Sequence, residues 1–103
     1  MTKRQKSGGI KFIDHKFRKK SHILSEELDD EKVLYDPKTQ NTYALNPMAA
    51  VIWDLCDGEH TPAQIAEEVL SVLEADQSQV LSDVIRTVNE FLEKDLVEVN
   101  SNK

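Results

Sequence analysis

Tyr43-Ala44-Leu45-Asn46-Pro47-Met48-Ala49-Ala50-Val51-Ile52-Trp53-Asp54-Leu55-Cys56-Asp57-Gly58 is the stretch where the hydrophobic pattern changes from strand to helix. Tyr43 and Leu45 stand two apart, which puts both on one face of an extended segment. Asn46 is a favoured helix cap and Pro47 a favoured first helical residue. Beyond them, Met48 to Cys56 is apolar nearly all round, so this helix is expected to be the buried central element. Asp57-Gly58 stops it.

On the N-terminal side, Lys32 to Tyr35 reads as a strand with Val33 and Tyr35 on one face. Asp36-Pro37-Lys38-Thr39-Gln40-Asn41 is a turn, because proline presets φ and the Asp and Asn side chains can bond nearby backbone. Thr42 to Leu45 is the returning strand. Ile23, Leu24 and Leu28 make a weaker strand before these two, ended by Asp29-Asp30-Glu31. The sheet is therefore expected to be small, three-stranded and antiparallel.

On the C-terminal side, Thr61-Pro62-Ala63-Gln64 combines a threonine cap, a proline, and a glutamine placed to bond back to the cap. Ile65, Val69, Val72 and Leu73 supply the inward stripe of that second helix. Asp76-Gln77-Ser78-Gln79 can cap a third helix in the same way, reaching Lys94. Its apolar positions fall on two flanks, Val80, Val84 and Phe91 on one and Leu81, Ile85 and Leu92 on the other. Together they cover an arc of about 140°, wider than the ~100° that one packed face needs. Leu96-Val97-Glu98-Val99 is expected to add a short extended segment. The fold class is α+β, with three strands followed by three helices.

Charge divides the 103 residues unevenly. Residues 1–24 hold eight Lys and Arg against Asp14 alone, whereas the rest hold five against eighteen acidic groups. Residues 1–22 are therefore expected to be a basic, flexible extension in which Ile10, Phe12, Ile13 and Phe17 form a short strand or sticky segment but no core. Residues 23–100 are expected to be the folded domain. No apolar run approaches the roughly 20 residues of a membrane span, and no apolar stretch follows the basic N-terminus as in a secretory signal. A lone cysteine forms no internal disulfide. The expected location is the cytoplasm.

Catalysis has little to work with. His15, His22 and His60 are far apart, and Cys56 lies in an apolar helix with no adjacent base. Neither metal-ligand spacing nor a cofactor motif is present. Nucleic acid is also a poor fit. The third helix offers Arg86, Asn89 and Lys94 but sets Asp83, Glu90 and Glu93 against them, and the acidic body repels a duplex.

Leu34-Tyr35-Asp36-Pro37, then Tyr43 to Pro47, then Ala49 to Gly58 resemble the signature of the PqqD family. Thr61 with Ile65, Asp83-Val84, Leu92 and Leu96-Val97 extend the likeness over about residues 23 to 99. The resemblance implies a winged helix-turn-helix-like recognition element. It would bind the leader of a ribosomally made precursor peptide as an added strand, beside the third strand and the third helix. It further implies a stand-alone, non-catalytic partner of a radical S-adenosylmethionine or other peptide-modifying enzyme, without a cofactor of its own.

Such capture suits a sheet edge whose backbone groups need partners. Thr42, Tyr43, Ala44 and Leu45 carry neither proline nor charge and are the expected strand side of the site. For the helix side the pattern leaves both flanks open, and we assign Val80, Val84 and Phe91, with Thr87, to the groove. The acidic surface is expected to favour a leader with basic residues. An open edge also permits weak self-pairing, so a monomer or weak homodimer is expected. The rival readings are a winged-helix DNA-binding protein and a module that docks on an enzyme without holding a peptide.

Overall fold

The structure, a computed structural model, describes residues 14–29 and 31–100. Ile10, Phe12 and Ile13, with Asp30 of the expected acidic turn, lie outside the described residues. The expected α+β order is observed, with one addition. Strands β1 (Lys16–Lys19), β2 (Leu24–Leu28), β3 (Glu31–Asp36) and β4 (Asn41–Leu45) precede helices α1 (Pro47–Leu55), α2 (Pro62–Val72) and α3 (Gln77–Glu93), and β5 (Val97–Asn100) closes the fold. Strands β2, β3 and β4 form an antiparallel sheet in that order. The added feature is a second antiparallel sheet made of β1 and β5.

The turn chemistry accounts for the hairpin. The Asp36 carboxylate is buried and accepts the Lys38 N–H at 2.9 Å, while the Gln40 N–H donates to the Asp36 carbonyl at 2.6 Å. His22 Nε2 stands 3.3 Å from the same carboxylate, at ion-pair distance but without hydrogen-bond alignment. This turn sets β3 against β4 in the register Leu34↔Tyr43 and Lys32↔Leu45. Leu34 is fully buried, so its face of the sheet covers the helices. Val33 and Tyr35 share the opposite, outer face.

The helix signals act as the residues dictate. The Ala49 N–H donates to the Asn46 side chain at 2.8 Å, and Thr61 and Gln64 form a reciprocal capping box. Asp76 differs in detail: it accepts from the Ser78 N–H, one residue earlier than a capping box requires, with no return bond from Gln79. Of α1, Ile52 and Trp53 are fully buried and most neighbours half-buried, so its wholly apolar face is only partly enclosed. Gly58 follows at φ 85°, and a Cβ there would come within 3.0 Å of the Asn100 side chain. Only glycine suits both the conformation and the close approach.

The expected domain boundary at residue 23 needs correction. Phe17 is fully buried in the core, and the Gly58 N–H donates to its carbonyl at 2.6 Å. The cations around it meet local acceptors. Arg18 pairs with Glu98, and Lys20 lies 3.0 Å from Asp95. Lys19 Nζ reaches the Asp54 and Cys56 carbonyls at 3.3 Å and lies 5.5 Å over the Trp53 ring. It thereby serves the carbonyl end of α1. Arg18, Lys19 and Lys20 are thus engaged with the body of the domain.

Candidate functional site: the groove between the edge strand and the long helix

β4 ends the three-stranded sheet, so one side of its backbone has no partner strand among the described residues. The pleat turns Tyr43 and Leu45 toward the helices, where both are half-buried, and leaves Thr42 and Ala44 exposed. Across from this edge runs α3. Between them lies a groove of about 550 Å³. Thr42, Tyr43, Ala44 and Leu45 line the strand side, and Asn46, Ala49 and Leu96 also line the groove.

The helix side is Arg86, Thr87, Glu90, Phe91 and Lys94. These positions recur at three and four residues and form one stripe along α3. Of the helix residues assigned from the sequence, Thr87 and Phe91 line this groove. Val80 and Val84 do not: at 2% and 0% exposure they are core residues, packed away from the groove. The reason is angular. The core takes the flank of the wide apolar arc that carries Val80, Val84 and Val88, and the groove takes the polar margin beside that flank. Arg86, Glu90 and Lys94 carry that signal in their four-residue spacing, yet a charged stripe reads first as a solvated face.

The wall is held from behind. Trp53 and Phe91 pack edge to face, centroids 5.7 Å apart, linking α1 to α3. At the C-terminal end of α3 the Leu96 N–H donates to the Phe91 carbonyl at 2.9 Å and the Asp95 N–H to the Leu92 carbonyl at 3.1 Å. With Asp95 at φ 62°, this is a Schellman closure built on aspartate in place of glycine. Lys94, one residue earlier, projects its ammonium over the Tyr43 ring, 6.0 Å from the centroid. Farther back along the stripe, Arg86 Nη1 pairs with Asp83 at 3.0 Å.

The opposite edge is differently furnished. Every residue of β2 is exposed, with Leu24 at 58% and Leu28 at 53%. Glu26, Glu27 and Asp29 crowd this edge with like charges, a recognised guard against strand addition. A shallow hollow beside it holds Lys32, which bridges Glu27 at 3.2 Å and Asp54 at 3.1 Å. Partial burial pulls the Lys32 pKa down, but those two hydrogen bonds outweigh it and the net direction is up.

The remaining reactive groups sit apart from the groove. Burial pushes the Cys56 thiol up to about 12, against a small opposing pull from Lys19. His60 Nδ1 lies 2.9 Å from Asp57, whose partial burial is overcome by hydrogen bonds from His60 and the Glu59 N–H, leaving its pKa lowered. Among the described residues, no group of His, Cys, Asp or Glu is arranged to hold a metal ion. No helix among them is long and apolar enough to cross a membrane.

Comparison with known proteins gives a consistent picture. A family model described as coenzyme PQQ synthesis protein D (PqqD) matches residues 31–97. Curated proteins provide no match. Among solved structures, a lasso peptide synthetase B1 complexed with its leader peptide is 25% identical, with a TM-score of 0.71, covering 81% of this chain and 98% of that one. TbiB1 in complex with the TbiA(beta) leader peptide is 21% identical, with a TM-score of 0.68 and coverages of 84% and 98%. The PqqD portion of Methylobacterium extorquens PqqCD, described as a stand-alone recognition element for ribosomally synthesised and modified peptides, is 23% identical. Its TM-score is 0.65, with coverages of 80% and 87%. With a family model matched across most of its length and the same fold in these structures, the chain belongs to the PqqD family.

Proposed function

We propose that this domain captures the leader of a ribosomally made precursor peptide as an extra strand on β4 and presents it to a separate modifying enzyme. The observation that carries this reading is the backbone side of β4, which has no partner strand among the described residues and opens into a groove walled by α3. An extended guest would satisfy the free backbone groups while its alternate side chains enter the groove. Two relatives of the same fold hold leader peptides, which supports the same role here. On this reading the domain is not itself an enzyme. Cys56 is a buried neutral thiol, and His22 and His60 lie beside the carboxylates of Asp36 and Asp57, outside the groove lining. Family membership makes a radical S-adenosylmethionine enzyme the partner we propose, acting in the cytoplasm where precursor peptides are made.

An amide-shift titration of the full chain with synthetic leader peptides tests the reading. Residues 42–45 and 86–94 should move together, and amide exchange along β4 should slow. Shifts confined to β1 or β2, or seen only with the enzyme, would leave a docking module in place of a peptide receptor.

A further inference from the structure

The groove's own charges point to the chemistry of its guest, and they oppose what the acidic surface suggests. Among the described residues lining it, Arg86 and Lys94 are cations and Glu90 is the lone carboxylate. Lys94 has no carboxylate at ion-pair distance among the described residues; its ammonium is parked over the Tyr43 ring. Arg86 is tied to Asp83, but its side chain remains 63% exposed and keeps further donors free. Glu90 has no cation at ion-pair distance among the described residues, although Arg86 and Lys94 each stand one turn away. With Arg86 paired to Asp83, Lys94 is the cation among the described groove residues that has no carboxylate partner, within an acidic body. At physiological salt, screening over about 8 Å lets this near charge outweigh the distant ones.

Resting on the strand-addition reading, we propose that the groove selects an extended peptide with an acidic side chain two residues from an aliphatic one. The register supplies the spacing. A strand laid beside β4 continues its pleat, so guest residues facing Tyr43 and Leu45 point toward the helices and the residue between points away. The side chain opposite Tyr43 comes up beneath Lys94, where a carboxylate gains a charge-assisted hydrogen bond. The side chain opposite Leu45 meets Leu45 and the Ala49 methyl, an aliphatic seat. Glu90, about 6 Å along α3 from Lys94, repels an acid placed out of register and so sharpens the choice.

Panning a randomised ten-residue peptide display library against the full chain tests this directly. Wild-type protein should enrich peptides with Asp or Glu two positions from Leu, Ile or Val. An enriched peptide should lose roughly three- to tenfold in affinity when its acid is replaced by the matching amide. Lys94→Glu, checked for an unchanged circular dichroism spectrum, should abolish the acidic preference or turn it toward Lys and Arg. Enriched peptides that shift residues 42–45 yet show no acid preference, or a preference untouched by Lys94→Glu, would overturn the selectivity and leave strand capture standing. A library that yields no peptide binding at β4 would overturn both.

Discussion

The indole of Trp53 meets the ring of Phe91 edge to face, with the ring planes at 85°. Both rings are nearly or fully buried, yet Phe91 also lines the groove. The core of the domain and the wall of its groove are therefore one packed unit. Phe91→Ala should cost about 3–5 kcal/mol in urea denaturation. A double-mutant cycle with Trp53 should recover about 0.5–1.5 kcal/mol of coupling. A loss well below 1 kcal/mol would mean the ring serves the groove alone.

Val84 and Thr87 separate folding from capture. Val84→Asp places an unpaired carboxylate in a fully buried site and should cost more than about 3 kcal/mol, read as loss of the cooperative thermal transition. Thr87→Glu, at a half-buried groove position, should change stability by less than about 1 kcal/mol while weakening a bound leader peptide. A folded Val84→Asp protein that merely binds less peptide would return Val84 to the groove.

Phe17 tests where the domain begins. Its side chain is wholly enclosed and its strand pairs with β5, so Phe17→Ala should cost about 3–5 kcal/mol. Starting the chain at residue 23 should be at least as damaging. Unchanged melting of that shortened protein would restore the boundary read from charge alone.

Cys56 makes stability fall in alkali. Its pKa, about 12 in the fold against 9.0 as the ordinary value, means the folded state holds the thiol proton where the unfolded state releases it. The folded state binds more protons between those values, so stability is lost as pH rises from about 9 toward 12. Lysines and tyrosines titrate there too, so the comparison is with Cys56→Ala, whose stability should decline less steeply over the same range. At pH 8 a thiol reagent should label the native protein only as fast as it opens. Rapid labelling without denaturant would disprove the burial.

Punctuation residues carried much of the fold in the chain itself. Asn46-Pro47, Thr61 with Gln64, Asp57-Gly58 and the Asp36–Asn41 turn each act through neighbours within a few positions, so their chemistry is complete locally. Period-two spacing likewise announced that Tyr43 and Leu45 share a face. The strand side of the groove was readable for the same reason.

Long-range pairing is where local reading ran out. Phe17 looks like one aromatic in a basic tail until β5, some 80 residues later, arrives to pair with it and Gly58 donates to its carbonyl. Of the charge run that suggested a free extension, Arg18, Lys20 and Lys19 are instead matched to Glu98, Asp95 and the open end of α1. On α3, periodicity showed an arc too wide for one contact but carried no information about which neighbour lay where. Local propensity and capping are properties of adjacent residues, so the hairpin, the helix starts and the order from β2 to α3 were written in the chain. Whether a face meets core, solvent or groove depends on what packs against it, and that assigned Val84 to the interior and Arg86, Glu90 and Lys94 to the groove.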